Sequence, residues 1–110
     1  MKRLEDIRSI LLEHKNELKE AYHIKSIALF GSYVRGTQTH DSDLDILVEF
    51  NKPITLFQFI RLENFLSQLL GVKVDLVMKS SLKPNIGKEI LKEAVSLWKE
   101  LNNIRISLYK

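Results

Sequence analysis

The chain has 110 residues, 45% of them hydrophobic and 28% charged, with 4 Gly, 2 Pro and no Cys. That length and balance point to one globular domain over residues 1–110 and exclude a disordered chain, while the absence of Cys excludes disulfides, thiolate nucleophiles and Cys-ligated zinc. The net charge of +3 is spread along the sequence, which suits a phosphate ligand or an acidic partner but lacks the dense basic stripe of a duplex binder.

The longest uninterrupted apolar run is Ile27-Ala28-Leu29-Phe30, far too short to cross a bilayer. The N-terminus turns acidic at Glu5-Asp6 before any apolar stretch, so no signal peptide and a cytoplasmic protein are expected. From Leu4 to Tyr22, Leu4, Ile7, Leu11, Leu18 and Ala21 recur at helical spacing and predict an amphipathic helix. Ile24–Phe30 reads as a buried strand ending at Gly31-Ser32, and Tyr33–Ser42 as a short helical turn and loop. Leu44–Phe50 alternates as a strand, with Leu44, Ile46, Val48 and Phe50 on one face and Asp43, Asp45, Leu47 and Glu49 on the other. Pro53 and Thr55 lead into a helix carrying Leu56, Phe59, Leu62, Leu66, Leu69 and Leu70, which Gly71 stops. Val72–Met78 is a third strand, Lys79–Asn85 a loop, and Ile86–Leu101 a last helix with Ile90, Leu91, Ala94, Val95, Trp98 and Leu101 on its apolar side. The order predicts an α/β fold, a small mixed sheet of about three strands packed with helices.

Three carboxylates stand apart because each lies on the polar face of a strand whose other face is apolar. Asp43 and Asp45 project from one face, about 6.7 Å apart along the strand, and carboxylate oxygens suit hard divalent cations. Asp75 has the same apolar-flanked setting, Val74-Asp75-Leu76. If the two strands are neighbours, the three converge into a site able to clamp the attacking and leaving oxygens of a phosphoryl displacement. Upstream, Gly31 lets a phosphate approach the backbone, and Ser32 adds a hydroxyl where N–H groups at a helix start face an anion. Together these describe a site for a metal-bound nucleoside triphosphate.

Phe30-Gly31-Ser32-Tyr33-Val34-Arg35-Gly36 followed by Asp41-Ser42-Asp43-Leu44-Asp45-Ile46-Leu47-Val48 resembles the Gly-Ser-x10-Asp-x-Asp signature of polymerase-beta-like nucleotidyltransferases. The short chain and the Arg-Gly after Gly-Ser are similar to the minimal nucleotidyltransferases (MNT), the antitoxin halves of HEPN/MNT toxin–antitoxin pairs. The resemblance implies that Asp43, Asp45 and Asp75 are catalytic and ligate two Mg2+ ions, Asp75 also helping to deprotonate the incoming hydroxyl. It assigns Gly31 and Ser32 to the triphosphate of ATP. It further implies AMP transfer to a tyrosine of a cognate HEPN toxin, an RNase silenced by the modification, in a type VII-like system. Larger relatives append helical domains for base or acceptor and this chain has no room for one, which favours a protein acceptor over a free small molecule. An antitoxin acting by occlusion alone and a small-molecule nucleotidyltransferase are the rival readings, and direct nucleic-acid or membrane binding is not expected.

The remaining polar residues are less specific. Arg35 either binds a phosphate or braces the 33–39 loop against an acidic partner. Lys79 and Lys83 follow the third strand, where they reach the triphosphate or simply face water. His14, His23 and His40 share no ligand spacing and are expected to be exposed, a place at the rim of the site being only the lesser alternative for His40, beside Asp41. Trp98 is expected in the core. The alternating segment Ile104–Lys110 either pairs with a partner edge or packs back on the sheet.

Overall fold

The computed structural model describes residues 2–99. In chain order the elements are α1 (Leu4–Glu13), α2 (Lys15–Ala21), β1 (Ile24–Phe30), α3 (Ser32–Arg35), β2 (Leu44–Phe50), α4 (Leu56–Leu70), β3 (Val74–Met78), a 3-10 turn (Lys79–Ser81), α5 (Pro84–Glu93) and β4 (Val95–Lys99). The strands form one mixed sheet in the order β3-β2-β1-β4. β1 pairs antiparallel with both β2 and β4, whereas β3 runs parallel to β2, and α4 supplies the crossover that a parallel pair requires.

α4 begins and ends as its sequence dictates. Thr55 Oγ1 accepts from the Gln58 N–H at 3.1 Å and Gln58 Oε1 accepts from the Thr55 N–H at 2.7 Å, a reciprocal cap at the N-terminus. Gly71 closes the other end with φ +70°, left-handed. α4 also closes the outer edge of β3: Ser67 Oγ accepts from the Val74 N–H at 3.0 Å and Glu63 Oε2 from the Leu76 N–H at 2.9 Å, leaving neither donor free for edge pairing.

One sheet face packs on α1, α2 and α4. Its core joins Ile27, Leu29, Leu44, Ile46 and Val48 of the central strands to Ile7, Leu11, Leu18, Leu62 and Leu66 of the helices. The strand period of two then turns Asp45, Leu47 and Asp75 to the second face. There, Leu91 and Lys79 border a groove of about 180 Å³ floored by Ala28 and Leu47. Among the described residues, no helix is long and apolar enough to cross a membrane.

Two expectations need correction. The single helix expected over Leu4–Tyr22 is two helices that meet at His14, whose backbone has left the helical region at φ −101°, ψ 15°. The His14 ring nitrogen Nδ1 lies 2.9 Å from the Ile10 carbonyl oxygen, so a side chain competes for the acceptor that the helix ladder uses. The buried Ile7, Leu11 and Leu18 still share one face, which is why the periodicity ran through the break.

The helix expected over Ile86–Leu101 ends at Glu93. Ala94 is extended at φ −64°, ψ 138°, and Val95–Lys99 forms a fourth strand on the free edge of β1. A helix there would leave that edge of β1 without backbone partners. The strand was hidden because a register shift opposite Ile27 and Ala28 breaks its period of two. Trp98 is buried, as expected of a core residue. Leu101 and the 104–110 segment lie outside the described residues.

Candidate active site

The parallel pairing of β2 and β3 sets Asp45 directly opposite Asp75. Strands lie about 4.8 Å apart, and both carboxyls stand on the second face. They stand within electrostatic reach of one another. Partial burial, followed by the influence of Asp75 and the charge of Asp43, pushes the Asp45 carboxyl up from 3.8 to about 6, with Arg35 pulling weakly the other way. Crowded, partly desolvated carboxylates of this kind are relieved by a cation or a proton.

Asp43 precedes β2, and its carboxylate points partly toward Lys73, with Oδ2 4.0 Å from Nζ. A local turn carries it: Ser42 Oγ accepts from the Thr39 N–H at 2.8 Å, and the Ser42 N–H returns to the Thr39 carbonyl at 3.1 Å. Among the described residues, no three carboxylates are already gathered about one point. The fit to a divalent cation therefore rests on donor chemistry: an all-oxygen set, Asp45 and Asp75 opposite one another on adjacent strands, and Asp43 close enough to act on Asp45 electrostatically.

Gly31 stands at the end of β1, beside that pair. Its φ of +83° and ψ of −156° fall in a region open essentially to glycine alone. A Cβ there would also run into the Asp45 carboxylate. The position thus combines a glycine-only turn with close approach of the backbone to a candidate metal ligand. Ser32 opens α3, the single turn that ends at Arg35.

Arg35 is turned to an acidic residue of its own chain. Its Nη1 donates to Glu93 Oε1 at 2.8 Å, and Glu93 Oε2 accepts from the Gly31 N–H at 2.7 Å. These bonds, the backbone one first, hold the Glu93 carboxyl below its usual range. Lys79 pairs with Glu49 at 3.8 Å. That pair borders a cavity of about 770 Å³ lined also by Phe50, Lys52 and Met78, at the opposite end of β2 from Asp43 and Asp45. Lys83 is exposed at the start of α5. His40 is exposed as expected, while His14 and His23 are half-buried.

The sequence reading missed Glu63, Ser67 and Glu93. The first two hold the backbone on either side of Asp75, and their helical positions give no hint of it. Glu93 lies 62 residues from Gly31, and only the pairing of β4 with β1 brings it there.

The pattern of the nucleotidyltransferase domain matches residues 11–97. Protein adenylyltransferase MntA of Thermococcus cleftensis is 55% identical over 92 residues, which cover 84% of this chain and 93% of that protein. A solved chain described as a minimal nucleotidyltransferase superposes with a TM-score of 0.73 at 37% identity, covering 86% of this chain and 95% of the other. A crystal structure of a toxin–antitoxin with AMP-PNP gives a TM-score of 0.70 at 26% identity, over 84% of this chain and 73% of that one. The chain thus belongs to the nucleotidyltransferase family, in the minimal branch that includes the protein adenylyltransferase MntA.

Proposed function

We propose that this chain is a cytoplasmic antitoxin that transfers AMP from ATP to a tyrosine hydroxyl of a cognate HEPN toxin, an RNase, and thereby silences it. The observation that carries the reading is the Asp45–Asp75 pair on adjacent parallel strands with Gly31 packed against Asp45. The protein-adenylyltransferase name of the MntA relative and the toxin–antitoxin that accompanies AMP-PNP in a structural neighbour support the substrate and the partner.

Asp45 and Asp75, joined by Asp43, hold two magnesium ions. The metal, when bound, neutralises phosphate charge and makes the acceptor hydroxyl easier to deprotonate. Gly31 leaves room for the triphosphate at the backbone, Ser32 offers its hydroxyl, and Arg35 offers positive charge. Asp75 is the exposed member of the carboxylate pair, placed to accept the proton of an incoming tyrosine from a second protein. The tyrosine oxygen forms a bond to the α-phosphorus as the bond to the bridging oxygen breaks and pyrophosphate leaves. Holding these groups in line and balancing their charge supplies most of the acceleration.

The test is label transfer from α-labelled ATP with magnesium, using this protein and its cognate toxin separately, together, and together with the Asp43→Asn/Asp45→Asn variant. Label on the toxin only with intact carboxylates establishes the activity, and mass spectrometry of the labelled toxin identifies the acceptor. Toxin bound and neutralised by the carboxylate variant, with no label moved, establishes occlusion instead.

A further inference from the structure

Glu93 is the last residue of α5 and reaches the Gly-Ser turn from outside it. The β1–β4 ladder reaches Leu29 opposite Val95 and goes no further. Where the next rungs would fall, the Glu93 side chain takes over. One oxygen accepts from the Gly31 N–H at 2.7 Å and the other from Arg35 Nη1 at 2.8 Å. A single carboxylate thereby bridges the two ends of α3, from its N-cap Gly31 to its final residue Arg35. Hydrogen bonds to an ionised carboxylate are about twice as strong as neutral ones, and the Glu93 side chain is only 26% exposed against 54% for Arg35.

The direction of approach matters. Phe30 faces Asp45 on the β2 side of β1, and Leu29 faces Val95 on the β4 side. Gly31 is therefore clamped between the Asp45 carboxylate on one flank and the Glu93 carboxylate on the other. A ligand bridging Asp45 and the turn would sit on the flank away from Glu93. Glu93 takes the N-cap N–H and one guanidinium nitrogen, and the remaining Arg35 donors, with the Ser32 hydroxyl, are left for that ligand.

We propose that Glu93 is a positioning residue for nucleotide binding: it fixes the Gly31–Ser32 turn and the Arg35 guanidinium in the orientation that receives the triphosphate of ATP, and it remains bonded to both when the nucleotide is in place. The inference rests on the functional reading above and adds to it a group that touches neither nucleotide nor metal. An opposing role is a resident anion that ATP must expel, and the two differ in sign. Removing a positioning group weakens nucleotide binding; removing a competitor tightens it.

The probe is a fluorescent ATP analogue titrated with magnesium into the full chain, for wild type, Glu93→Gln, Glu93→Ala, Arg35→Ala and the Glu93→Ala/Arg35→Ala double variant. Loss of groups that orient metal-ligating side chains costs about 10–100-fold, and on the low end of that scale Glu93→Ala should raise Kd about tenfold. Glu93→Gln, whose amide oxygen still accepts one of the two bonds, should raise it less. The double variant should be weaker than Arg35→Ala by much less than the tenfold that Glu93→Ala produces alone, because Glu93 acts in part through Arg35. In label transfer, the KM for ATP should rise more than kcat falls. Should Glu93→Ala not fold, the Gln variant and its KM carry the same comparison. Unchanged or tighter binding by the Glu93 variants, or fully additive losses, overturns the inference alone. A wild-type protein that does not bind the analogue with magnesium overturns the functional reading and this inference with it.

Discussion

Asp45→Asn should make the metal-free protein more stable at neutral pH, although it removes a residue central to the proposed chemistry. In the fold the Asp45 carboxyl titrates near 6 against an ordinary 3.8, raised first by burial and then by Asp75 and Asp43. A raised carboxyl contributes stability that is fully present below about pH 3.8 and lost as pH climbs through about 6. Above pH 7 the fold carries the whole penalty of an ionised, crowded Asp45. At about 1.4 kcal/mol per pH unit the ceiling is about 3 kcal/mol, and because the group still meets solvent, screening reduces it to about 1 kcal/mol. For a domain near 100 residues that is a gain of about 4–8 °C in Tm for the Asn variant, measured at pH 7.5 in EDTA. The gap between variant and wild type should shrink as pH falls from 7 to 4. Millimolar magnesium should then raise the wild-type Tm and leave the variant nearly unmoved, narrowing the gap from the other side. A gap that does not change with pH, or a variant less stable than wild type at pH 7.5, would refute the electrostatic account of the site.

Asp75→Asn should reduce AMP transfer to the toxin by at least about 100-fold, in line with loss of a group that positions and deprotonates, while pull-down of the toxin is unchanged. Gly31→Ala should destabilise the fold by about 1–3 kcal/mol from backbone conformation alone. The added methyl also displaces the Asp45 carboxylate, so label transfer should be lost even well below the melting temperature. Thr55→Ala removes the α4 cap and should lower stability by about 1 kcal/mol in chemical denaturation; with the cap remote from the carboxylates, the KM for ATP should not move.

How much of this was visible in the sequence follows from the range of each signal. The bounds of β1 and β2, the start of α4 at Thr55 and its stop at Gly71 are local facts, set by alternation, a capping pair and a left-handed glycine, and a single sequence displays them. The convergence of Asp45 with Asp75 needed one additional step, that two apolar-flanked strands be neighbours, and the register supplied it. The break at His14 turned on a ring nitrogen reaching one carbonyl, which periodicity cannot register. β4 was concealed for a different reason. Ile90, Leu91, Ala94, Val95 and Trp98 keep helical spacing across the α5–β4 junction, and the register shift removes the alternation that would have betrayed a strand. Losing β4 also meant losing Glu93, because a residue in mid-helix has no cause to reach Gly31.

That junction ties the completion of the sheet to the completion of the site. Val95–Lys99 satisfies the free edge of β1, a purely structural demand, and in doing so it delivers Glu93 to the flank of Gly31 opposite Asp45. On the far side of the sheet, α4 closes the β3 edge with Glu63 and Ser67 and thereby fixes the backbone around Asp75. The strand that covers β1 and the helix that closes the β3 edge thus each also hold one wall of the candidate site. A small domain has little apolar surface with which to stabilise a crowded carboxylate pair, and β4 with Glu93 on one side and α4 with Glu63 and Ser67 on the other flank Asp45 and Asp75. The consequence is asymmetric sensitivity: changes at the Glu93 edge should appear in nucleotide affinity, and changes at the Glu63–Ser67 edge in the placement of Asp75 and hence in kcat.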